Sequence, residues 1–315
     1  NKRGVTCDVS VREGRELFTG LLRWADVLIE NNLPRQMREW NLSYAQLQEI
    51  NPRLVMISIT PFGQTGPYSA WNGYDLNAFH LSGASSRYCG RPGEMPLEHG
   101  TFSADYFGAI AGAAWGMAAM FGRDLVGGQN IGLVAQEGRF DLRTGVGMPL
   151  GAPATIVPCK DGHVWMLALE RGQWEGLCKV MGDPEWARLE MFNDMYVRAQ
   201  NADIMYSFIE EWTAQHTKAE IMEKCQAAGC PITAVFTIEE AASLPHLKAR
   251  DFFVDIDHPD LGRVRNLGAP FKLPASPGGP VRPAPRLGQH NEEVYGELFS
   301  LPAAKIASSR DRAVI

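Results

Sequence analysis

A chain of 315 residues is long enough for two domains and buries about 75% of the surface its unfolded form exposes. With 45% hydrophobic and 21% charged residues it reads as globular, which excludes a disordered or fibrous architecture. Thirty Lys plus Arg against 36 Asp plus Glu leave a net charge of −6, so there is no global basic field of the kind that gathers nucleic acid.

The first third alternates strand and helix patterns. Val5 to Val9 reads as a short strand, and Glu13 to Trp24 as a helix with Leu17, Leu21 and Leu22 on one face. Asp26 to Ile29 (DVLI) reads as a buried strand, followed by the polar cluster Glu30-Asn31-Asn32. Tyr44 to Ile50 is predicted as a helix opened by Ser43, an N-cap residue. Leu54 to Ile59 (LVMISI) is an apolar β-type run that breaks into Phe62-Gly63-Gln64-Thr65-Gly66-Pro67. Strands alternating with helices predict βαβ units and a mainly parallel sheet. The uncharged run Tyr106 to Gly122 is slightly short for a bilayer span and is rich in Ala and Gly, so a tightly packed buried helix is predicted rather than a membrane segment.

From Pro153 the character changes. Ala154 to Pro158, a polar turn at Lys160-Asp161-Gly162, and His163 to Leu169 predict a β-hairpin. Amphipathic helices follow near Arg171–Met181, Ala202–Thr213 and Lys218–Ala228. Leu267 to Pro285 is dense in Pro and Gly and reads as an extended arm. The expected fold class is α/β: a Rossmann-like large domain over residues 1–152, a smaller α+β domain over 153–240, and a return to the large domain over 241–315.

Six cysteines, Cys7, Cys89, Cys159, Cys178, Cys225 and Cys230, form no CxxC pair, and neither the cysteines nor the histidines fall into a metal-ligand spacing. That density fits reduced thiols and a cytoplasmic location. The loop at residues 62–67 follows a strand, where α/β proteins place ligands, but it is neither GxGxxG nor a Walker sequence, and a plain turn is the favoured reading. No G-x-S-x-G is present, which disfavours a serine hydrolase. Asp105 opens the small-residue helix and allows two readings. It caps the helix, or it is a nucleophilic carboxylate beside Gly108, Gly112 and Gly116, where another backbone or a slim ligand can approach closely. His99, close to Asp105 in sequence, reads as a surface or capping residue.

Seven ordered stretches resemble the class III CoA-transferase family (CaiB/BaiF type), which also contains the α-methylacyl-CoA racemases. They are Asn1 to Thr6, Glu13 to Phe18, Ala25 to Asn31, Asn51-Pro52-Arg53-Leu54-Val55 through Gly66-Pro67-Tyr68, Gly73-Tyr74-Asp75-Leu76, Ala104 to Gly108, and the closing Pro283-Ala284-Pro285-Arg286-Leu287-Gly288-Gln289-His290. Relative to the family the chain begins late, without an N-terminal βα unit, and Gly127 to Pro158 is short. The basic residue that usually follows the Glu-Asn-aromatic turn matches Glu39, with Arg38 beside it as a substitute.

The resemblance implies that Asp105 is the catalytic aspartate. It also implies that Cys7, Asp8, Val9 and Ser10, then Asn31, Asn32 and Leu33, then Asn72, Gly73, Tyr74 and Asp75, line the CoA site, with Arg38 contacting a phosphate. Gly145 to Gly151 is the candidate for the glycine-rich loop that shields the intermediate in some members. CoA enters as a thioester substrate, with no permanently bound cofactor and no metal. The implied partners are an acyl-CoA and a small carboxylic acid, with a second copy or a paralogous subunit in an interlocked dimer, and neither membrane nor nucleic acid. In the implied chemistry Asp105 forms an acyl anhydride and then an aspartyl-CoA thioester, with amides at the helix start stabilising each oxyanion. Two rivals stand beside transfer. One is an α-methylacyl-CoA racemase or isomerase. That branch carries histidine where this chain has Tyr74, and a tyrosine titrates near 10 against about 6.5 for histidine. Tyr74 then reads as a packed aromatic at a turn. The other rival is a non-catalytic CoA-binding subunit of a heteromeric transferase.

Overall fold

The computed structural model describes residues 1–82, 85, 95, 97, 100–134, 151–273, 275, 276 and 278–315. They divide into two compact units: Asn1–Cys89, Pro96–Asp141 and Asp251–Ile315 form the first, and Gly90–Met95 with Leu142–Arg250 the second.

The first unit begins with α1 (Arg12–Trp24), β1 (Val27–Glu30), α2 (Pro34–Glu39), α3 (Tyr44–Ile50), β2 (Val55–Thr60), α4 (Asp75–Leu81), α5 (Ser103–Val126) and β3 (Asn130–Val134). The three strands form an all-parallel sheet of order β1-β2-β3, with Val27 opposite Val55 and Ile57 opposite Ile131. The central strand β2 is buried along nearly its whole length, and its Val55, Met56, Ile57 and Ile59 are apolar because both of its faces are covered. Met56 packs with Leu22, Met37, Leu42 and Leu47 on one side, and Val55 and Ile57 pack with Ala119 of α5 on the other. α3 starts as its sequence signals: Gln46 accepts the Ser43 N–H at 3.0 Å, and Leu47 is buried.

Two expectations are corrected here, and one helix is added. Val5 to Val9 form no strand; instead the backbone there and just before, at Thr6 and Gly4, bonds to side chains of the chain's closing segment, as described below. α2 was not signalled by any apolar stripe; it starts with Pro34 at its first position and buries only Pro34 and Met37. α5 is 24 residues long, and only its small-residue face is buried: Gly108, Gly112, Gly116 and Ala119 face the sheet. Tyr106, Phe107, Ile110, Met117, Phe121 and Leu125 are exposed.

In the second unit β4 (Ala154–Cys159) and β5 (Gly162–Leu167) form the expected antiparallel hairpin, joined at β5 by β6 (Thr233–Ala234). α6 (Arg171–Val180), α7 (Met195–Gln200), α8 (Ala202–Thr213), α9 (Lys218–Ala227), α10 (Ile238–Ala242) and α11 (Pro245–Ala249) complete it. Its core gathers Val164 and Met166 with Leu177, Phe192, Ile209 and Ile221. Arg198 is buried within it, donating to the carbonyls of Ala152, Leu169 and Phe192 at 2.7, 2.9 and 3.1 Å, with its guanidinium 4.6 Å from the Trp174 ring centre.

The chain returns to the first unit as a hairpin of β7 (Phe253–His258) and β8 (Gly262–Leu267). The described residues between 268 and 286 are without helix or strand. α12 (Asn291–Phe299) and α13 (Ala303–Asp311) close the chain. His290 and Asn291 clasp the start of the chain. Gly4 N–H donates to His290 Nδ1 at 3.0 Å, Thr6 N–H to Asn291 Oδ1 at 3.0 Å, and Tyr295 OH to the Thr6 carbonyl at 2.7 Å. Among the described residues no helix is long and apolar enough to cross a membrane.

Candidate active site

α5 lies with its backbone against β2. A Cβ built on Gly108 would come 3.0 Å from Ile59, and one on Gly116 would come 2.5 Å from Ile57. The helix therefore starts beyond the carboxyl end of β2, the edge where open parallel sheets place their ligands. Asp105 stands there in the first helical turn, with its side chain exposed. It does not cap its own helix. The cap comes from α4: Asp75, 8% exposed, accepts the Asp105 N–H on Oδ1 at 2.8 Å. Partial burial, reinforced by the negative charge of Asp75, holds the Asp105 carboxyl above the usual aspartate range. The Tyr106 N–H is also committed, to the Phe102 carbonyl at 3.0 Å. Neither of these amides is therefore open to an oxyanion, which narrows the expectation that the helix start as a whole would serve one.

The stretch 72–75 is shaped by two contacts. A Cβ on Gly73 would lie 2.7 Å from the Phe62 ring and 3.1 Å from Pro61, so only glycine lets this segment rest on the loop that follows β2. Asn72 Oδ1 accepts from Arg35 of α2 at 3.3 Å, which ties the stretch to the β1–α2 connection. Tyr74 is 81% exposed, not a packed aromatic; it precedes α4 and donates its N–H to Asn77 Oδ1 at 3.0 Å.

In the β1–α2 connection, Asn32 N–H donates to Glu30 Oε2 at 2.7 Å and Leu33 forms the N-cap of α2, while Asn31 and Arg38 are exposed. Along the start of the chain, the Cys7 thiol donates to the Gly14 carbonyl at 2.8 Å, and burial pushes its pKa up. Asp8 Oδ1 accepts the Ser10 hydroxyl at 2.6 Å and the Ser10 N–H at 2.8 Å, which hold its carboxyl below the usual range. Val9 packs on the cluster that contains Met37 of α2. Cys7 and Asp8 open on a cavity of about 470 Å³ that is also lined by Thr6, Asn291 and Arg310.

The sequence-predicted residues are thus joined in series. Residues 7–10 meet α2 through Val9, α2 meets Asn72 through Arg35, and Asp75 meets Asp105. Among the described residues no hydrogen bond joins residues 7–10, Asn31 or Arg38 directly to Asp105. Sequence reasoning passed over Arg35, whose signal is a pair of arginines on a helix opened by proline, and Arg310, which carries none. It also passed over a group of buried side-chain atoms at or near the carboxyl edge of the sheet, Glu30 Oε1, Ser58 Oγ, Thr60 Oγ1 and Gln64 Nε2, which are without hydrogen-bond partners among the described residues. Such atoms are costly to bury unpaired. His99, Cys89 and the glycine-rich candidate at Gly145–Gly151, apart from Gly151 itself, lie outside the described residues. No group of three or more His, Cys, Asp or Glu side chains suited to a metal occurs among the described residues.

The fold thus sets an exposed aspartate at a helix start beyond the central strand of a parallel sheet. The chain belongs to CoA-transferase family III, whose model matches residues 1–291. The beta subunit of succinyl-CoA–L-malate CoA-transferase from Chloroflexus aurantiacus is 31% identical over 339 residues, covering 100% of this chain and 83% of that protein. Formyl-CoA:oxalate CoA-transferase from Rhodopseudomonas palustris is 29% identical over 350 residues, covering 99% and 82%. A crystal structure of a CaiB/BaiF family protein from Brucella suis superposes with a TM-score of 0.77 at 27% identity, covering 94% of this chain and 82% of that one.

Proposed function

We propose that the protein moves CoA from an acyl-CoA donor to a small dicarboxylic acid, with Asp105 as the acyl acceptor. The observation that carries this reading is the exposed Asp105 carboxylate at the start of α5, held at the sheet's carboxyl edge by Asp75. An Asp105 oxygen attacks the donor thioester carbonyl and expels CoA thiolate, leaving an acyl-aspartyl anhydride. The thiolate attacks the aspartyl carbonyl, releasing the donor carboxylate and forming an aspartyl-CoA thioester. The acceptor carboxylate displaces the thiolate to give a second anhydride, whose acyl carbonyl the thiolate attacks. Acceptor acyl-CoA leaves, and Asp105 is regenerated. The CoA moiety would run past Asn72, Arg35 and Arg38 toward residues 7–10, with the arginines meeting its phosphates.

Relatives named for malate, citramalate, oxalate and glutarate support a small dicarboxylate as acceptor. A dimer, with a second copy or a paralogous subunit, is supported by the exposed apolar face of α5 and by relatives named as alpha and beta subunits. The unpaired Cys7, Cys159, Cys178, Cys225 and Cys230 support a reducing, cytoplasmic setting. The test is a matrix of succinyl-CoA and formyl-CoA against malate, citramalate, oxalate and glutarate, run with wild type and Asp105→Asn. Wild type should form a new acyl-CoA with at least one pair, and Asp105→Asn with none while keeping its circular-dichroism spectrum. Wild-type protein inactive with every pair, or an Asp105→Asn variant that still turns over, would overturn the reading.

A further inference from the structure

We infer that the buried carboxylate of Asp75 is a positioning residue that fixes the Asp105 amide and the first turn of α5, rather than a contact to CoA. The inference rests on the reading of Asp105 as acyl acceptor. Asp75 is the first residue of α4, is 8% exposed, and reaches out of its own helix to accept the Asp105 N–H at 2.8 Å. A carboxylate withdrawn from water is costly unless hydrogen-bonded, and here the bond is spent on the backbone of the reacting residue. Asp75 in turn sits two residues after Gly73, whose missing side chain lets this segment rest on Phe62 and Pro61. The loop after β2, the start of α4 and the start of α5 are thereby locked as one unit.

The charge has a consequence of its own. β2 and β3, which pack against α5, carry no ionisable side chain, and neither does the 61–73 loop apart from Tyr68. α4 contributes Asp75 and, at its far end, His80; Tyr74 precedes it. On α5 itself Tyr106 adjoins Asp105, while Arg123 and Asp124 stand at the opposite end, paired with Asp26 and Arg53. Among the described residues Asp75 is therefore the negative charge set against Asp105, and burial together with this charge keeps the Asp105 carboxyl above the ordinary aspartate range. A more basic carboxylate is the better nucleophile toward a thioester.

Two substitutions separate the bond from the charge. Asp75→Asn keeps an acceptor oxygen and removes the charge; Asp75→Ala removes both. Steady-state CoA transfer is measured for wild type, both variants and Asp105→Asn, with the pH dependence of kcat/KM for the active ones. Misplacing a reacting group by about 1 Å costs on the order of 100-fold. Asp75→Ala should therefore lose about 100-fold in kcat, with KM for the acyl-CoA within about threefold of wild type. Asp75→Asn should turn over about tenfold faster than Asp75→Ala, because its amide oxygen still holds the Asp105 N–H. Its acid limb should move to lower pH: without the neighbouring charge Asp105 loses its proton more readily, and the attack needs the ionised form. The inference is overturned by an Asp75→Ala variant with wild-type kcat, by a rise in KM at unchanged kcat, which is what a CoA contact would give, or by an unmoved acid limb in Asp75→Asn. Should Asp75→Ala fail to fold, the acid limb of Asp75→Asn decides alone. An active Asp105→Asn variant would instead remove the nucleophile reading on which the inference stands.

Discussion

Replacing Gly73 by alanine tests how tightly the site is assembled. The added Cβ would lie 2.7 and 2.9 Å from two atoms of the Phe62 ring and 3.1 Å from Pro61 Cβ. Carbon atoms in contact normally sit about 3.5–4.0 Å apart, so the chain must open by about 0.8 Å or more. Moving the ring aside would disturb its edge-on packing against Trp71, at 6.0 Å between centres. The displacement falls on residues 72–75 and stretches the 2.8 Å bond from the Asp105 amide to Asp75. Overpacking of this kind costs about 1–3 kcal/mol of stability. A shift of that size at a reacting group costs on the order of 10- to 100-fold in rate. We therefore expect Gly73→Ala to lose about 10- to 100-fold in kcat/KM for CoA transfer, with a lowered urea midpoint. Gly296→Ala is the control, since a Cβ at that helical position meets nothing within 4 Å. Wild-type kinetics in Gly73→Ala would refute the claim that this close approach positions Asp105.

Other substitutions address separate features. Gly296→Ala should stabilise α12 by about 0.5–1 kcal/mol, read as a raised urea midpoint at unchanged activity. Arg198→Met should destabilise the second unit by about 3 kcal/mol, because it leaves two buried carbonyls and one half-buried one without their donor; a denaturation midpoint checks this. Arg35→Ala should raise KM for the acyl-CoA about fivefold with little change in kcat, and added salt should shrink the difference. Burial pushes the thiol of Cys225 up to about 12 and that of Cys178 to about 11, so at pH 8 an alkylating reagent should modify both only after denaturation, as peptide mapping would show.

Sequence and structure agree most closely where local signals suffice. The runs DVLI and LVMISI are strands to within a residue. For LVMISI the apolar character reflects a two-sided burial that the sequence carries locally, whereas β1 is not the buried strand expected: Ile29 is 65% exposed and Glu30 is its buried residue. The Ser43 cap and the hairpin around Asp161 are likewise short-range. α2 escaped because six residues are too few to show a helical stripe; only its opening proline announces it. Val5 to Val9 have β-type composition, yet the backbone partners of Thr6 and the adjacent Gly4 are His290, Asn291 and Tyr295, far away along the chain. The same division runs through the candidate site. The place of Asp105 at a helix start is local and legible. Its tie to Asp75 spans 30 residues and belongs to the packing of α4 on α5, which no spacing reveals. Arg198 breaks the rule that charges stay outside, and nothing in the pattern around it distinguishes it from a surface arginine.

The most direct test of the chemistry is to trap the acyl group on the protein. Protein incubated with succinyl-CoA and quenched with hydroxylamine is digested, and the peptide that carries Asp105 is weighed. A hydroxamate at Asp105, formed in wild type and missing in Asp105→Asn, is the expected result, because both the anhydride and the aspartyl-CoA thioester yield it. Transfer that proceeds with Asp105 unmodified, or with the hydroxamate on another carboxylate, would contradict the assignment.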